Sequence, residues 1–313
     1  MKKCVSIGGQ ALIEGIMMKG PEKTVMAVRG KNKEIILEDL NQTSITKKYK
    51  ALNLPILRGV INFVEAMFFG YKALMRSADL SGFTELEEEN KSKDPKKQNA
   101  LMNVVMVIAS VLGVALALLL FMYLPAALFN LLNGALSGTV TPFRALFEGV
   151  LKIIIFLVYI ILVAKTPDIK RVFMYHGAEH KTIFCYENNL ELTVENVKPQ
   201  SRFHPRCGTS FMVVMLIVGI VITFLVQTLF PAVTEIIWLW VLIKILILPI
   251  ICGFGYEIIK FCGKHNNGFV RFLSAPGLWM QRITTVEPYD DMIEIAIAAV
   301  KEVLPQETEE EQC

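Results

Sequence analysis

Apolar positions fall into four blocks long enough to cross a bilayer, separated by stretches where charge and polar residues return. Leu101 to Tyr123 is one such block, and about 20 apolar residues are what a spanning helix requires. The second runs from Gly149 to Ala164, and Phe143 to Glu148 can extend it. The third, Phe211 to Phe230, carries no charge. The fourth, Ile236 to Ile259, contains Lys244, Pro249, Gly253 and Glu257. Lys244 is expected to snorkel or to face the bundle, because an ionisable group in lipid is costly. The pattern predicts a polytopic α-helical membrane protein with four transmembrane helices.

Between these blocks the period changes. MAVRGKNKEIILEDL reads as a strand, a turn at Arg29 to Asn32 and a second strand. Leu54 to Leu80 has apolar residues at helical spacing with Arg58, Glu65, Lys72 and Arg76 interspersed, which predicts an amphipathic or re-entrant N-terminal helix at the membrane surface. Thr84 to Ala100 is sign-segregated in charge and reads as an exposed linker. Near the C-terminus a turn is expected at Ser274 to Gly277. A helix should open at Pro288 and Asp290/Asp291, with Met292, Ile295, Ala296, Ala299 and Val303 on its apolar side. The last residues, PQETEEEQC, have the composition of a disordered tail.

The expected organisation has seven segments: 1–50, Gly-rich with a β-hairpin; 52–80, the amphipathic helix; 81–100, the linker; 101–164, the first two spans; 165–210, a His/Cys hairpin; 211–259, the last two spans; and 260–313, a C-terminal segment. Small cytoplasmic α/β segments thus accompany the membrane helices. Composition agrees, since 53% of residues are hydrophobic and only 19% charged, against about 25% charged in a soluble domain. A net charge of +3 gives no reason to expect a nucleic-acid partner.

The placement of charge is more informative. Residues 1–100 hold 17 Lys/Arg, residues 165–208 hold seven and residues 260–313 hold five, whereas the connector 125–147 has only Arg144 and Pro231 to Glu235 none. The positive-inside rule then puts both termini in the cytoplasm of a multi-pass protein of the cell membrane. Thiols there stay reduced. The six cysteines show no CxxC and no disulfide-scaffold spacing. The N-terminus lacks a sustained apolar core, so it does not read as a cleaved signal.

Three of the four histidines lie in two short segments beside membrane blocks: YHGAEHKTIFCYE, Tyr175 to Glu187, and RFHPRCGTSF, Arg202 to Phe211. His176 and His180 would share one helix face, with Glu179 beside them to take a proton from water at an ion, a spacing used by inverted zinc peptidases. Gly177 argues against a helix here. The link from His180 to His204 can fold back through a turn at Asn188-Asn189 into a strand, LELTVENV, which brings His204 and Cys207 alongside. Imidazole and thiolate donors suit Zn²⁺, and iron or manganese fits if carboxylates such as Glu187, Glu191 or Glu195 join instead. With His176, His180, His204 and Cys207 all bound the site is closed and structural; with Cys207 off, a position stays open.

Taken with GGQALIEGIMMKGP, LPILRGVINFVEAMFFGYKAL and RFLSAPGLWMQRITTVEPYDDMIEIAIAA, these segments resemble the YqhQ-like family of bacterial membrane proteins, with plastid relatives, described as predicted metal-dependent enzymes. The resemblance covers nearly the whole chain. It implies that His176, Glu179, His180, His204 and Cys207 belong to the family's marked motifs, and it draws attention to further polar residues: Gln10, Glu14, Arg58, Glu65, Arg206, Arg282 and Glu287. Gly8-Gly9 reads by itself as a turn and lacks the ending of a nucleotide-binding loop. Arg58 and Glu65 can pair with each other or point toward the His/Cys hairpin. Arg282 can hold an anionic group or pair with Glu287 or Asp290.

The leading expectation is a membrane-embedded metal-dependent hydrolase acting at the cytoplasmic leaflet on a peptide or lipid, with a divalent metal, Zn²⁺ first, and Glu179 as base. The alternative is a non-catalytic, metal-stabilised scaffold or assembly factor with a membrane-protein partner or a second copy. Transport ranks last, because the first three spans show little internal charge.

Overall fold

The computed structural model describes residues 7–40, 45, 53–83, 95–205, 207–264 and 268–304. Arg206, most of the charged linker and the acidic C-terminal tail lie outside the described residues. Four strands come first: β1 (Gly8–Leu12), β2 (Gly15–Lys19), β3 (Thr24–Arg29) and β4 (Ile35–Asp39). They form one antiparallel sheet in the order β1-β2-β3-β4. The Gly8-Gly9 pair is therefore strand, not turn. The tight turn lies four residues on, where Glu14 takes a left-handed φ of 51°. Gly15 follows because a Cβ there would sit 2.4 Å from the Ala27 carbonyl oxygen.

Helix α1 (Leu57–Ser81) ends at Gly82, whose φ of 75° makes a left-handed cap. It lies on one face of the sheet, where Ala73 packs with Leu12, Met26 and Val28. Its N-terminal half leaves the sheet and packs against a membrane helix, while Val64, Met67, Phe68 and Tyr71 stay exposed. The sheet's other face is covered by α5 (Pro167–Glu187) and α10 (Asp290–Val303). All five apolar positions expected for α10 are buried, together with Ile293, Ile297 and Val300.

Among the described residues, four helical segments are long and apolar enough to span a membrane: Val107–Ala135, Thr141–Val163, Met212–Leu229 and Ile237–Cys262. The protein is a polytopic helical membrane protein with a small α/β unit attached. The first segment joins α2 (Pro95–Leu118) to α3 (Leu124–Ala135) through a π turn at Leu119–Tyr123. Pro125 explains the turn: its ring obstructs an ordinary i→i−4 ladder, and the Leu124 amide bonds Leu119 O instead. Much of the expected 125–147 connector is thus helix. The remaining spans are α4 (Arg144–Val163), α7 (Gly208–Leu229) and α8 (Ile237–Lys264), with the four-residue α6 (Val194–Val197) in the intervening loop. Residues 190–197 hold no strand; Thr193 caps α6 by accepting from the Asn196 amide. Helix α9 (Gly268–Thr284) runs through the expected Ser274–Gly277 turn and packs on α7 and α4.

The spans also bury charge. Glu148 accepts from Arg144 Nε at 2.9 Å, from Trp240 Nε1 at 3.0 Å and from Lys244 Nζ. Lys244 faces the bundle and does not snorkel. Arg58, for its part, pairs with Glu257 of α8 and not with Glu65. This pair, with Gly59 seated against Gly253, anchors α1 to the membrane helices.

Candidate metal centre

Helix α5 begins where the second span ends. Thr166 is extended, Pro167 occupies the first turn and Asp168 adds a favourable negative charge there. The helix then runs unbroken through YHGAEH. Gly177 does not weaken it. A Cβ at that position would lie 2.1 Å from Val286 O, so glycine lets the Thr284–Val286 segment cross directly over the helix. The Val286 amide bonds Phe173 O at 2.9 Å. Glu14, at the β1–β2 turn, fixes the helix rotation: it accepts from Arg171 Nε and Nη2 and from Tyr175 Oη at 3.1 Å.

With α5 so placed, His176 and His180 project from one face, ring centroids 4.4 Å apart. Each Nδ1 meets a backbone carbonyl, His176 at Thr284 O (2.8 Å) and His180 at Arg202 O (2.6 Å). A carbonyl can only accept, so each Nδ1 carries the proton and each Nε2 presents a lone pair, the outer-shell arrangement common to metal-binding histidines. Cys207, just before α7, brings its Sγ to 3.1 Å from His176 Nε2. The ligand atoms of His176, His180 and Cys207 all lie within 4.8 Å of one another, and the three residues are buried.

Among the described residues, two buried polar atoms here have no hydrogen-bond partner: His180 Nε2 and Glu179 Oε2. An orphaned imidazole lone pair is costly unless something fills it. A tetrahedral ion about 2.1 Å from nitrogen and 2.3 Å from sulfur separates its ligands by about 3.4–3.7 Å. The three ligand atoms lie close enough together to converge on one such ion, so the donor set fits a divalent metal. Burial lowers the His180 pKa, which keeps the imidazole neutral and able to bind. Burial raises the Glu179 pKa, an effect opposed by His176 and by the Gly9 amide that bonds the carboxylate. Gly9 is glycine for this reason: a Cβ would come within 3.1 Å of Glu179 Cδ and 2.6 Å of Met17 O.

His204 occupies a different position. Its Nε2 faces Glu187 Oε2 at 3.3 Å, its ring packs on Phe184 at 4.7 Å, and the three-ligand group does not include it. Gln281 of α9 holds it, accepting from the His204 amide at 2.7 Å and donating to its carbonyl at 2.8 Å. Gln281 is wholly buried, where the tail's sequence suggests only a further polar group at the cytoplasmic surface. A polar residue on the buried side of an amphipathic helix was the available signal.

Glu179, His180, His204, Cys207 and Gln10 line one cavity of about 500 Å³ between β1, α5 and α1. The other polar candidates lie elsewhere. Glu65 accepts from the Ile45 amide at 2.5 Å. Arg282 is exposed. Glu287 pairs with Lys181 at 2.8 Å and Arg202 at 3.8 Å, steadying the segment that carries the His180 carbonyl partner.

Fold and site together define a multi-pass membrane protein with a buried His/His/Cys cluster, able to coordinate a metal, where its spans meet an α/β unit. The chain belongs to the family described as protein of unknown function (DUF1385), whose profile matches residues 54–306. It is 36% identical over 307 residues to the uncharacterized protein YqhQ of Bacillus subtilis (strain 168), covering 97% of this chain and 94% of that protein. No solved structure matches it.

Proposed function

We propose that the protein is a metal-dependent hydrolase working at the cytoplasmic face of the cell membrane, with both termini in the cytoplasm. Zinc is the metal that mixed imidazole and thiolate donors favour. His176, His180 and Cys207 would hold it, leaving a fourth position open as catalytic sites require. Bound there, the ion supplies Lewis-acid activation of water and polarises a carbonyl or phosphoryl group.

The chain's own residues do the rest. Glu179 is the general base. Burial raises its pKa, which makes the carboxylate a stronger proton acceptor than an exposed glutamate. The Gly9 amide holds one of its oxygens and leaves Oε2 for the reacting water. The carbonyls of Thr284 and Arg202 keep both imidazoles oriented through the reaction. The 3.3 Å pairing with Glu187 holds His204 as a polar wall group of the cavity. The observation that carries this reading is the coincidence of an orphaned buried Glu179 oxygen with an orphaned ligand nitrogen in one cavity.

Glu179→Gln tests it. The variant should retain wild-type metal content and lose turnover on a panel of peptides and lipid esters presented in nanodiscs. Undiminished turnover would sink Glu179 as base. If His204 also bound, the site would have no open position, and the protein would be a metal-fastened scaffold with no turnover in any form.

A further inference from the structure

The cavity beside the cluster has its exposed lining in three places: Gly8, Gly9 and Lys19 on the sheet, Ala66 on α1, and Gly208 at the first residue of α7. Its mouth therefore lies between α1 and the start of the third span. Deeper in, Ile7, Met17, Phe69 and Ile183 make an apolar wall. Among the described residues, Lys19 is the lining's one lysine or arginine, and it pairs with no carboxylate.

The mouth sits at the depth of lipid headgroups. Gly208 precedes Met212, where the third span begins, by four residues, or about 6 Å at 1.5 Å per residue. On the other side, Gly59 is seated against Gly253 and Tyr256, and a Cβ on Gly253 would meet Ile56, so α1 and α8 run in the same sense. Gly253 and Tyr256 lie nine and six residues inside the end of their span, about 9–13 Å deep. Ala66 and Phe69 follow Gly59 by seven and ten residues, a rise of about 10–15 Å along α1. Both routes bring the mouth to the ends of the spans or a few Å beyond, within a headgroup layer about 5–8 Å thick.

We infer that the substrate is a phospholipid, entering sideways between α1 and α7 with its phosphate at Lys19; this rests on the hydrolase reading and names its substrate class. The first half of α1 then lies in the bilayer, and its exposed Leu57, Val64, Met67, Phe68 and Tyr71 contact lipid. Lys19 supplies a point charge for the phosphate, and the apolar wall takes the start of an acyl chain. A polypeptide fits worse. Its amides would face Ile7, Met17 and Phe69 without partners, and the Gly9 amide is already bonded to Glu179. Hydrolysis of a lipid ester consumes one water: its OH stays on the acyl carbon or phosphorus, and its proton, carried by Glu179, leaves with the released alcohol.

The test uses the full-length, metal-loaded protein in nanodiscs of phosphatidylglycerol and diacylglycerol with matched chains. The photocrosslinker benzoylphenylalanine replaces Phe69, in the cavity, or Phe68, on the exposed stripe, and captured lipids are identified by mass spectrometry. The Phe68 probe should capture the two lipids in their bulk ratio. At the Phe69 probe phosphatidylglycerol should be favoured at least tenfold; Lys19→Met should cut that preference about tenfold, the worth of one charge-assisted hydrogen bond, and Lys19→Arg should keep it. No lipid at the Phe69 probe, the bulk ratio there, or an unchanged preference in Lys19→Met would overturn the inference. A parallel arm follows headgroup and fatty-acid release from the same nanodiscs and cleavage of short peptides with blocked termini. Peptide cleavage without lipid capture overturns the lipid substrate while sparing the hydrolase. Selective lipid capture with no release of either product upholds the lipid as ligand and overturns the hydrolase.

Discussion

Replacing Gly177 by alanine should weaken metal binding without touching a ligand. In an unobstructed helix interior this change stabilises by about 1 kcal/mol, because alanine is the better helix former. Here the new Cβ would sit 2.1 Å from Val286 O, a backbone atom with no flexible side chain to swing aside. Relief requires the Thr284–Val286 segment to lift, which breaks the 2.9 Å bond from the Val286 amide to Phe173 O. Overpacking of this kind costs about 1–3 kcal/mol. The same shift withdraws Thr284 O from His176 Nδ1, now at 2.8 Å. Losing such an outer-shell partner lowers metal affinity about 10–100-fold, or about 1.4–2.7 kcal/mol. The assay is competition with a chromophoric chelator on detergent-purified protein, with thermal unfolding followed in parallel. Gly208→Ala is the control: it adjoins Cys207, but its Cβ would meet nothing within 4 Å. Wild-type affinity in Gly177→Ala, or an equal loss in Gly208→Ala, would refute the reasoning.

Gly9→Ala should displace Glu179 and abolish turnover while sparing metal content, which elemental analysis beside an activity assay would check. In the membrane cluster, Glu148→Leu leaves Arg144 and Lys244 uncompensated and should cost about 3–5 kcal/mol, more than Lys244→Met, as read from unfolding in mixed micelles. Equal losses would mean that charge balance does not govern this site. Tyr175 has its pKa raised by burial, with Glu14 adding to the shift. A raised pKa contributes stability that is full below the unfolded value, about 10, and is lost as pH climbs above it. Alkaline titration of the melting temperature should therefore fall more steeply for wild type than for Tyr175→Phe.

Much of this was legible in the chain. The spans could be read because lipid demands long apolar blocks, and His176 and His180 because four residues make one helical turn. The apolar stripe of α10 followed the same logic. What escaped has physical causes. The partners that orient both imidazoles are backbone carbonyls of Thr284 and Arg202, and a carbonyl leaves no mark on residue identity. Gly177 looked like a helix breaker because its purpose lies in a segment more than one hundred residues away. Whether His204 or Cys207 stands nearest the histidine pair depends on how α9 grips the 202–208 loop through Gln281, a contact that local spacing does not encode. The Arg144/Glu148 pair did carry an i,i+4 signal. Arg144 reads as part of the 125–147 connector and Glu148 only as the end of a possible extension of the second span, so the internal charge of that span is undercounted.

The most direct test of the central claim is X-ray absorption spectroscopy on the full-length protein purified in detergent, with metal content measured on the same sample. The account expects one divalent ion per chain, bound by two nitrogens and one sulfur, with an oxygen donor that exchanges with solvent. Cys207→Ala should remove the sulfur and leave the two nitrogens. A metal-free protein after reconstitution with zinc, or a fully protein-bound shell of three nitrogens and one sulfur, would contradict it.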